Sequence, residues 1–258
     1  AAPSLKNWTY GSPEGISQWQ GVCKTGKSQS PIDIPLALEE DAAASAPSSS
    51  ASSLGPLRFR YPTFINEGKE GATICNNGHG SPQINFPAGF DLDLGNKTYS
   101  LKQLHFHTPS EHSFSNGQHF PIECHLVHKD QATKELLVVA VLMKIGAANP
   151  ILSAALECCP EVPGDNARIT STLSLRSILP PPRGATSSSG GRRYATYQGS
   201  LTTPPCTERV RWVVLVDAIQ CTAQQVLDLM AIGSGGKDWE QTQRPVQPLN
   251  KRKIEFEL

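Results

Sequence analysis

Gln103-Leu104-His105-Phe106-His107, followed downstream by Glu123-Cys124-His125-Leu126-Val127-His128, is the stretch on which the reading of this chain turns. Successive side chains of a β-strand point to opposite faces. Read as a strand, the first run puts Gln103, His105 and His107 on one face and Leu104 and Phe106 on the other. The second run puts Glu123, His125 and Val127 on one face. Two such strands side by side present three imidazoles to one point.

Three neutral nitrogen ligands with an open fourth position make a catalytic zinc site, whereas structural zinc sites usually close all four positions, often with Cys. Gln103 and Glu123 each precede a histidine by two residues on the same face. They are placed to accept the ring's other N–H, which fixes the tautomer and raises ligand basicity. A His-x-His pair in a strand is more often two surface or core histidines than a ligand pair. The later Glu-x-His raises the metal reading, but spacing alone leaves both readings open.

Working outward, the chain is β-rich. Leu57 to Tyr61 and Phe90 to Leu94 alternate, the latter before a turn at Gly95-Asn96. Leu101 to His107, Ile122 to His128, Leu136 to Ile145 and Arg209 to Ile219 also carry strand patterns. Helix signals are short. Asn149-Pro150 caps Ile151 to Glu157, and Thr222 reads as the N-cap of a helix to Met230. The expected fold is mainly β (α+β), a large, mostly antiparallel sheet with small peripheral helices. Residues 39–53, rich in Ala and Ser, and 180–193, Pro-rich then Ser/Gly-rich, read as low-complexity surface insertions in a single domain spanning 1–258.

Composition narrows the functional classes. Among 258 residues, 23 Lys plus Arg balance 23 Asp plus Glu, so no overall field draws the chain to nucleic acid or an anionic membrane. The longest apolar run, Leu136 to Met143, is far short of the roughly 20 residues of a membrane helix. The sequence opens at Ala1 without Met, as after removal of a signal peptide or after trimming. Two sequons at Asn7 and Asn96 mark candidate glycosylation sites, and together with seven cysteines they favour an oxidising, extracytoplasmic compartment. Gly21-Val22-Cys23-Lys24-Thr25-Gly26-Lys27-Ser28 fits a phosphate-binding loop literally. No apolar strand precedes it, and Pro31 and Pro35 block the helix that would hold the phosphates.

Further segments join the histidine strands in a fixed order. They are Trp8-Thr9-Tyr10-Gly11, Gln29-Ser30-Pro31-Ile32-Asp33-Ile34, Asn76-Asn77-Gly78-His79, Ser110-Glu111-His112, Tyr197 to Cys206, and Arg244 to Asn250. With this series the chain strongly resembles the α-class carbonic anhydrases over nearly its whole length. The resemblance implies reversible hydration of carbon dioxide to bicarbonate by attack of a zinc-bound hydroxide, with one Zn(2+) per chain. His105, His107 and His125 align with the zinc ligands, and Gln103 and Glu123 with partners of His105 and His125. The partner of His107 would be a backbone carbonyl near Thr242. Thr202 aligns with the hydroxyl that orients the hydroxide, Glu111 with the carboxylate that receives the Thr202 proton, and His79 with the proton shuttle. Thr203 would contact bicarbonate. Val127, Val138, Leu201 and Trp212 align with the apolar substrate wall, and Tyr10, Asn77 and Tyr197 with polar residues of the water-filled cavity. After His107, mammalian members carry Trp where this chain has Thr108-Pro109-Ser110, a departure that touches no ligand.

Further expectations follow, some from the resemblance and some from the residues' own positions. Secreted members join the regions of Cys23 and Cys206 by a disulfide. Cys124 is expected to be a core thiol. Cys158 and Cys159 are expected at a helix end, at least one seeking a distant partner or a second chain, which suggests a homodimer. Cys75 and Cys221 are left unassigned. His112 and His128 read as structural supports and His119 as a solvated loop residue. Inhibitory anions and sulfonamides are expected ligands, and weak ester hydrolysis a side activity. The contrasting class is a carbonic-anhydrase-like binding domain that has lost its ligands; this chain keeps all three candidate histidines.

Overall fold

The alternating runs around the histidines form long strands that pair at the centre of one sheet. The structure is a computed structural model, which describes residues 8–11, 15–36, 57–65, 71–115, 117–182, 191–234 and 241–258. In chain order the first strands are β1 (Asp33–Ile34), β2 (Leu57–Arg60), β3 (Thr73–Asn76), β4 (Pro82–Asn85), β5 (Asp91–Leu94), β6 (Lys97–His107) and β7 (Ser113–Phe114). There follow β8 (Ile122–Asp130), β9 (Leu136–Ile145), β10 (Asn166–Arg168), β11 (Tyr194–Ser200), β12 (Glu208–Leu215), β13 (Ile219–Cys221) and β14 (Glu255–Glu257). The helices are α1 (Val22–Thr25), α2 (Pro150–Cys158) and α3 (Ala223–Ser234). Among the described residues, strands β1 and β7 pair by themselves, and the others form a 12-stranded sheet ordered β10-β3-β4-β6-β8-β9-β12-β11-β14, with β2, β5 and β13 off that path.

Most ladders are antiparallel, but β9 runs parallel to both β12 and β13. Strand β9 is central, and Leu137 to Met143 are buried on both faces, which explains its unbroken apolar run. One face of the sheet packs Leu104, Phe106, Leu126 and Val139 against α2 residues Ile151 and Leu152. The opposite face carries Val138, Ala140, Tyr197 and Trp212 in a second apolar cluster. The β6–β8 register slips between Leu101 and Gln103. This bulge lets Leu101 and Leu104 share the core face, which strict alternation forbids.

Both helix starts follow their caps. Asn149 Oδ1 accepts N–H bonds from Ile151 and Leu152 at 3.0 and 3.1 Å, with Pro150 in the first turn. Thr222 Oγ1 accepts the Gln225 N–H at 3.1 Å, while Gln225 Oε1 accepts the Thr222 N–H at 3.0 Å, a reciprocal capping box.

Two expectations need correction. Arg209 to Ile219 is not one strand: β12 stops at Leu215, where the Val216 N–H turns to the Arg193 carbonyl and Asp217 pairs with Arg193 at 2.6 Å. Tyr197 to Ser200, the start of the segment that the resemblance matches to the family's active-site loop, is strand β11, paired with both β12 and β14. The candidate insertion 39–53 and the sequon residue Asn7 lie outside the described residues, as does 183–190 within the second insertion. The described flank of that insertion is packed, with Pro180 buried and its carbonyl accepting from Arg192 Nε at 2.8 Å. In the phosphate-loop-like stretch, α1 is a single turn preceded by a 3-10 turn, Ile16–Gln18.

Candidate metal centre and catalytic cavity

The central ladder sets the three histidines. In the β6–β8 register His105 faces His125 and His107 faces Glu123. The rings lie 5.0 Å (His105–His107), 5.3 Å (His105–His125) and 4.4 Å (His107–His125) apart between centroids. One ligand atom from each lies within 4.8 Å of the others. The remaining nitrogens are spoken for. His105 Nδ1 meets Gln103 Oε1 at 2.8 Å, His107 Nδ1 meets the Thr242 carbonyl at 2.5 Å, and His125 Nε2 meets Glu123 Oε1 at 2.7 Å. Each carbonyl or carboxylate fixes its ring's N–H and leaves one lone pair directed inward. His107 Nε2, buried, has no hydrogen-bond partner among the described residues. Burial holds all three pKa values below the usual imidazole value, so the rings are neutral, as metal ligation requires. An orphaned buried nitrogen amid neutral donors fits a bound cation.

Glu123 is the hub of a second layer. Its Oε1 also meets His112 Nδ1 at 2.7 Å, and its Oε2 accepts the His112 backbone N–H at 2.8 Å. Burial alone would raise this carboxyl, but His112 and His125 hold it well below its usual value. His112 Nε2 meets the Tyr197 hydroxyl at 2.7 Å, and Tyr197 donates to Ser30 Oγ at 2.8 Å. His112, Glu123 and His125 also form a metal-sized cluster, but these mutual bonds account for it. Tyr197 therefore departs from the cavity-water role: it is 1% exposed and supports Glu123 through His112.

The active-site loop leaves β11 at Leu201. Its Thr202 is buried beside Glu111, whose carboxyl burial pushes up to about 7, opposed by His125, the Thr202 hydroxyl and the Arg244 N–H. Glu111 Oε1 accepts that N–H at 2.9 Å, while Oε2 lies 3.6 Å from His107 Nε2. Cys206 bonds Cys23 with an S–S distance of 2.03 Å, tying the loop to α1. The Arg244 guanidinium reinforces that tie through Gln29 Oε1, the Ser30 carbonyl and the Cys23 carbonyl. Sequence reasoning missed the Arg244 clamp, because its partners lie more than 200 positions away.

Val138 and Trp212 belong to the second apolar cluster, with half-buried Val127 and Leu201 packed against it. A cavity of about 190 Å³ is bounded by Tyr10, Asn77, His79, His105, His107 and Thr203. Larger grooves of about 610 and 740 Å³ lie elsewhere, but His105 and His107 open into the small one. Asn77 also shapes the His79 turn, its Oδ1 accepting from the His79 and Ser81 amides at 2.8 and 3.2 Å. His79 is half-buried and stacks on Trp8 at 3.8 Å between centroids. Burial lowers its pKa, partly offset by a hydrogen bond to the Trp8 backbone. His119 is exposed, though its Nδ1 meets the Ser110 carbonyl at 2.7 Å. Cys124 is buried in the core as a free thiol. Cys158 and Cys159, at the end of α2, are half-buried and unpaired within the chain.

The chain is similar to known proteins over nearly its whole length. A family model for eukaryotic-type carbonic anhydrase matches residues 14–257. A carbonic anhydrase of Pectobacterium atrosepticum is 32% identical over 98% of this chain and 92% of its own. Among solved structures, carbonic anhydrase Cah3 from Chlamydomonas reinhardtii, in complex with acetazolamide, is 39% identical with a TM-score of 0.81, covering 98% of this chain and 100% of its own. The α-carbonic anhydrase of Thermovibrio ammonificans, in complex with the inhibitor sulfanilamide, is 32% identical with a TM-score of 0.77, covering 96% of this chain and 98% of its own. The chain belongs to the eukaryotic-type, or α-class, carbonic anhydrase family, whose activity is the interconversion of carbon dioxide and bicarbonate.

Proposed function

We propose that this chain is a zinc-dependent carbonic anhydrase, active through the cavity that His105, His107 and His125 close. The observation that carries the reading is the convergence of three neutral imidazoles, each with one nitrogen already held by Gln103, Glu123 or Thr242. When bound, zinc supplies the Lewis acidity that brings the pKa of water from 15.7 to about 7. The protein's own residues do the rest. Thr202 donates its proton toward Glu111, so its oxygen is left to accept from the attacking nucleophile and to aim it. Val127, Val138, Leu201 and Trp212 hold apolar carbon dioxide beside it, and Thr203 receives bicarbonate. His79 carries the product proton from the cavity to buffer, because an imidazole both takes and releases a proton near neutrality. Tyr10 and Asn77 line the path beside it.

Weak ester hydrolysis follows from the same nucleophile, and sulfonamides and inhibitory anions compete for the same position. The Cys23–Cys206 disulfide and the sequon residue Asn96, exposed at the β5–β6 turn, support an extracytoplasmic glycoprotein. Among the described residues no helix is long and apolar enough to cross a membrane. The free pair Cys158 and Cys159 supports association of two chains, which a non-reducing gel reads. The test of function is stopped-flow hydration of carbon dioxide with acetazolamide as probe. Rapid hydration abolished by stoichiometric acetazolamide is expected. Zinc-loaded protein without hydration would leave the binding-domain reading instead.

A further inference from the structure

The carbonyl that orients His107 comes from a segment with no regular structure: residues 241–249 form neither strand nor helix. Something else must hold it in place, and Thr108, the residue after His107, does so. The Thr242 N–H donates to the Thr108 carbonyl at 3.1 Å, and the Thr108 N–H donates to Thr242 Oγ1 at 3.0 Å. Thr108 is itself tied down, its hydroxyl donating to the Pro121 carbonyl at 3.0 Å. Thr108 and Thr242 are both 2% exposed, so water does not replace these bonds. On the other side of Thr242, a Cβ on Gly80 would stand 2.7 Å from Thr242 Cγ2, and Gly80 itself has φ +83°. The methyl thus rests against the glycine that follows His79, while the hydroxyl points to Thr108. A β-branched side chain fixed on both branches keeps one rotamer, and together with the Thr242 N–H bond to the Thr108 carbonyl it anchors the residue whose carbonyl meets His107 Nδ1.

We propose that the Thr242 hydroxyl is a positioning group for the metal centre, acting through the Thr108 backbone to hold the Thr242 carbonyl on His107 Nδ1. The stretch Thr108-Pro109-Ser110, which supplies no ligand itself, is then half of the device that fixes one. Outer partners of metal-ligating histidines commonly govern metal retention by 10- to 100-fold. Removing the hydroxyl leaves the Thr108 N–H buried without its acceptor and frees the carbonyl to move off His107.

This inference rests on the zinc reading. Its test is the rate at which zinc leaves the loaded enzyme for a dipicolinate chelator. Thr242→Val, which keeps the shape and loses the hydroxyl, is expected to release zinc about 10- to 100-fold faster than wild type. Thr242→Ser keeps the hydroxyl and is expected to release it within about twofold of wild type. Should the Val variant fail to fold, Thr242→Ala against Thr242→Ser makes the same comparison, differing by one oxygen atom. Melting of the metal-free variants separates a merely structural role, which would lower the melting temperature without changing zinc release. Equal release from the Val, Ser and wild-type proteins overturns the inference alone, and so does a Ser variant as leaky as Ala. A wild-type chain that binds no zinc overturns the zinc reading and this inference with it.

Discussion

His125 and His128 sit three residues apart on β8, both buried, on opposite faces of the same sheet. Burial lowers the pKa of each, and for His128 it does so to about 3. In the core, His128 spends both nitrogens, Nδ1 on the Leu126 carbonyl at 2.9 Å and Nε2 on the Tyr61 hydroxyl at 2.6 Å. On the cavity face, His125 spends only Nε2 on Glu123 and turns its other nitrogen toward His105 and His107. Neutrality and burial are therefore common to a structural histidine and to a candidate ligand. What separates them is whether one lone pair is left over and aimed at others.

The largest effect should come from breaking this contrast directly. His125→Ala is expected to lose zinc and nearly all hydration, whereas His128→Gln keeps both; an active, fully zinc-loaded His125→Ala protein would refute the site. Next in size, Thr202→Ala is expected to lower kcat/KM roughly 10²-fold, the scale of one lost transition-state hydrogen bond. Steady-state kinetics with unchanged kcat/KM would remove Thr202 from the chemical step. His79→Ala should lower kcat in weak buffer, leave kcat/KM intact and be partly rescued by imidazole. An equal fall in both parameters would contradict a shuttle.

The smallest effect sharpens the other half of the comparison. The folded pKa of His128, about 3, lies below its reference value of 6.5, so the unfolded chain takes up a proton that the folded chain refuses. The stability this ring preserves is complete above pH 6.5 and is lost as pH falls toward 3. By pH 5 the loss is about 2 kcal/mol. Urea unfolding between pH 7 and 5 should show a shallower pH dependence in His128→Gln than in wild type. Parallel curves would mean that His128 does not contribute to acid sensitivity.

The legible parts of the molecule are those governed by period-two alternation. Strand β9 has the bounds Leu136 to Ile145 that its strand pattern gives, and counting alone puts Gln103, His105 and His107 on one face of β6 and Glu123 and His125 on one face of β8. Short strands such as β3 and β10 carry too few residues for a pattern, and their pairing to each other is decided by neighbours far away in sequence. Glu111, Thr202 and Thr242 project from loops, so their positions depend on the completed tertiary structure; family resemblance suggested the first two and a carbonyl near the third. The resemblance aligns Tyr197 with the cavity's polar residues, but its side chain is buried. On β11 it stacks parallel to Trp212, interplanar angle 11°, with its hydroxyl turned inward to His112. The bond between Thr108 and Thr242 joins residues 134 apart, beyond any local pattern.

The most direct measurement of the central claim is a zinc titration of chelator-stripped protein, with carbon dioxide hydration recorded at each addition. Hydration should be absent at the start, rise linearly and stop rising at one zinc per chain. Hydration that survives complete removal of zinc, or that fails to return with one equivalent, would contradict the account.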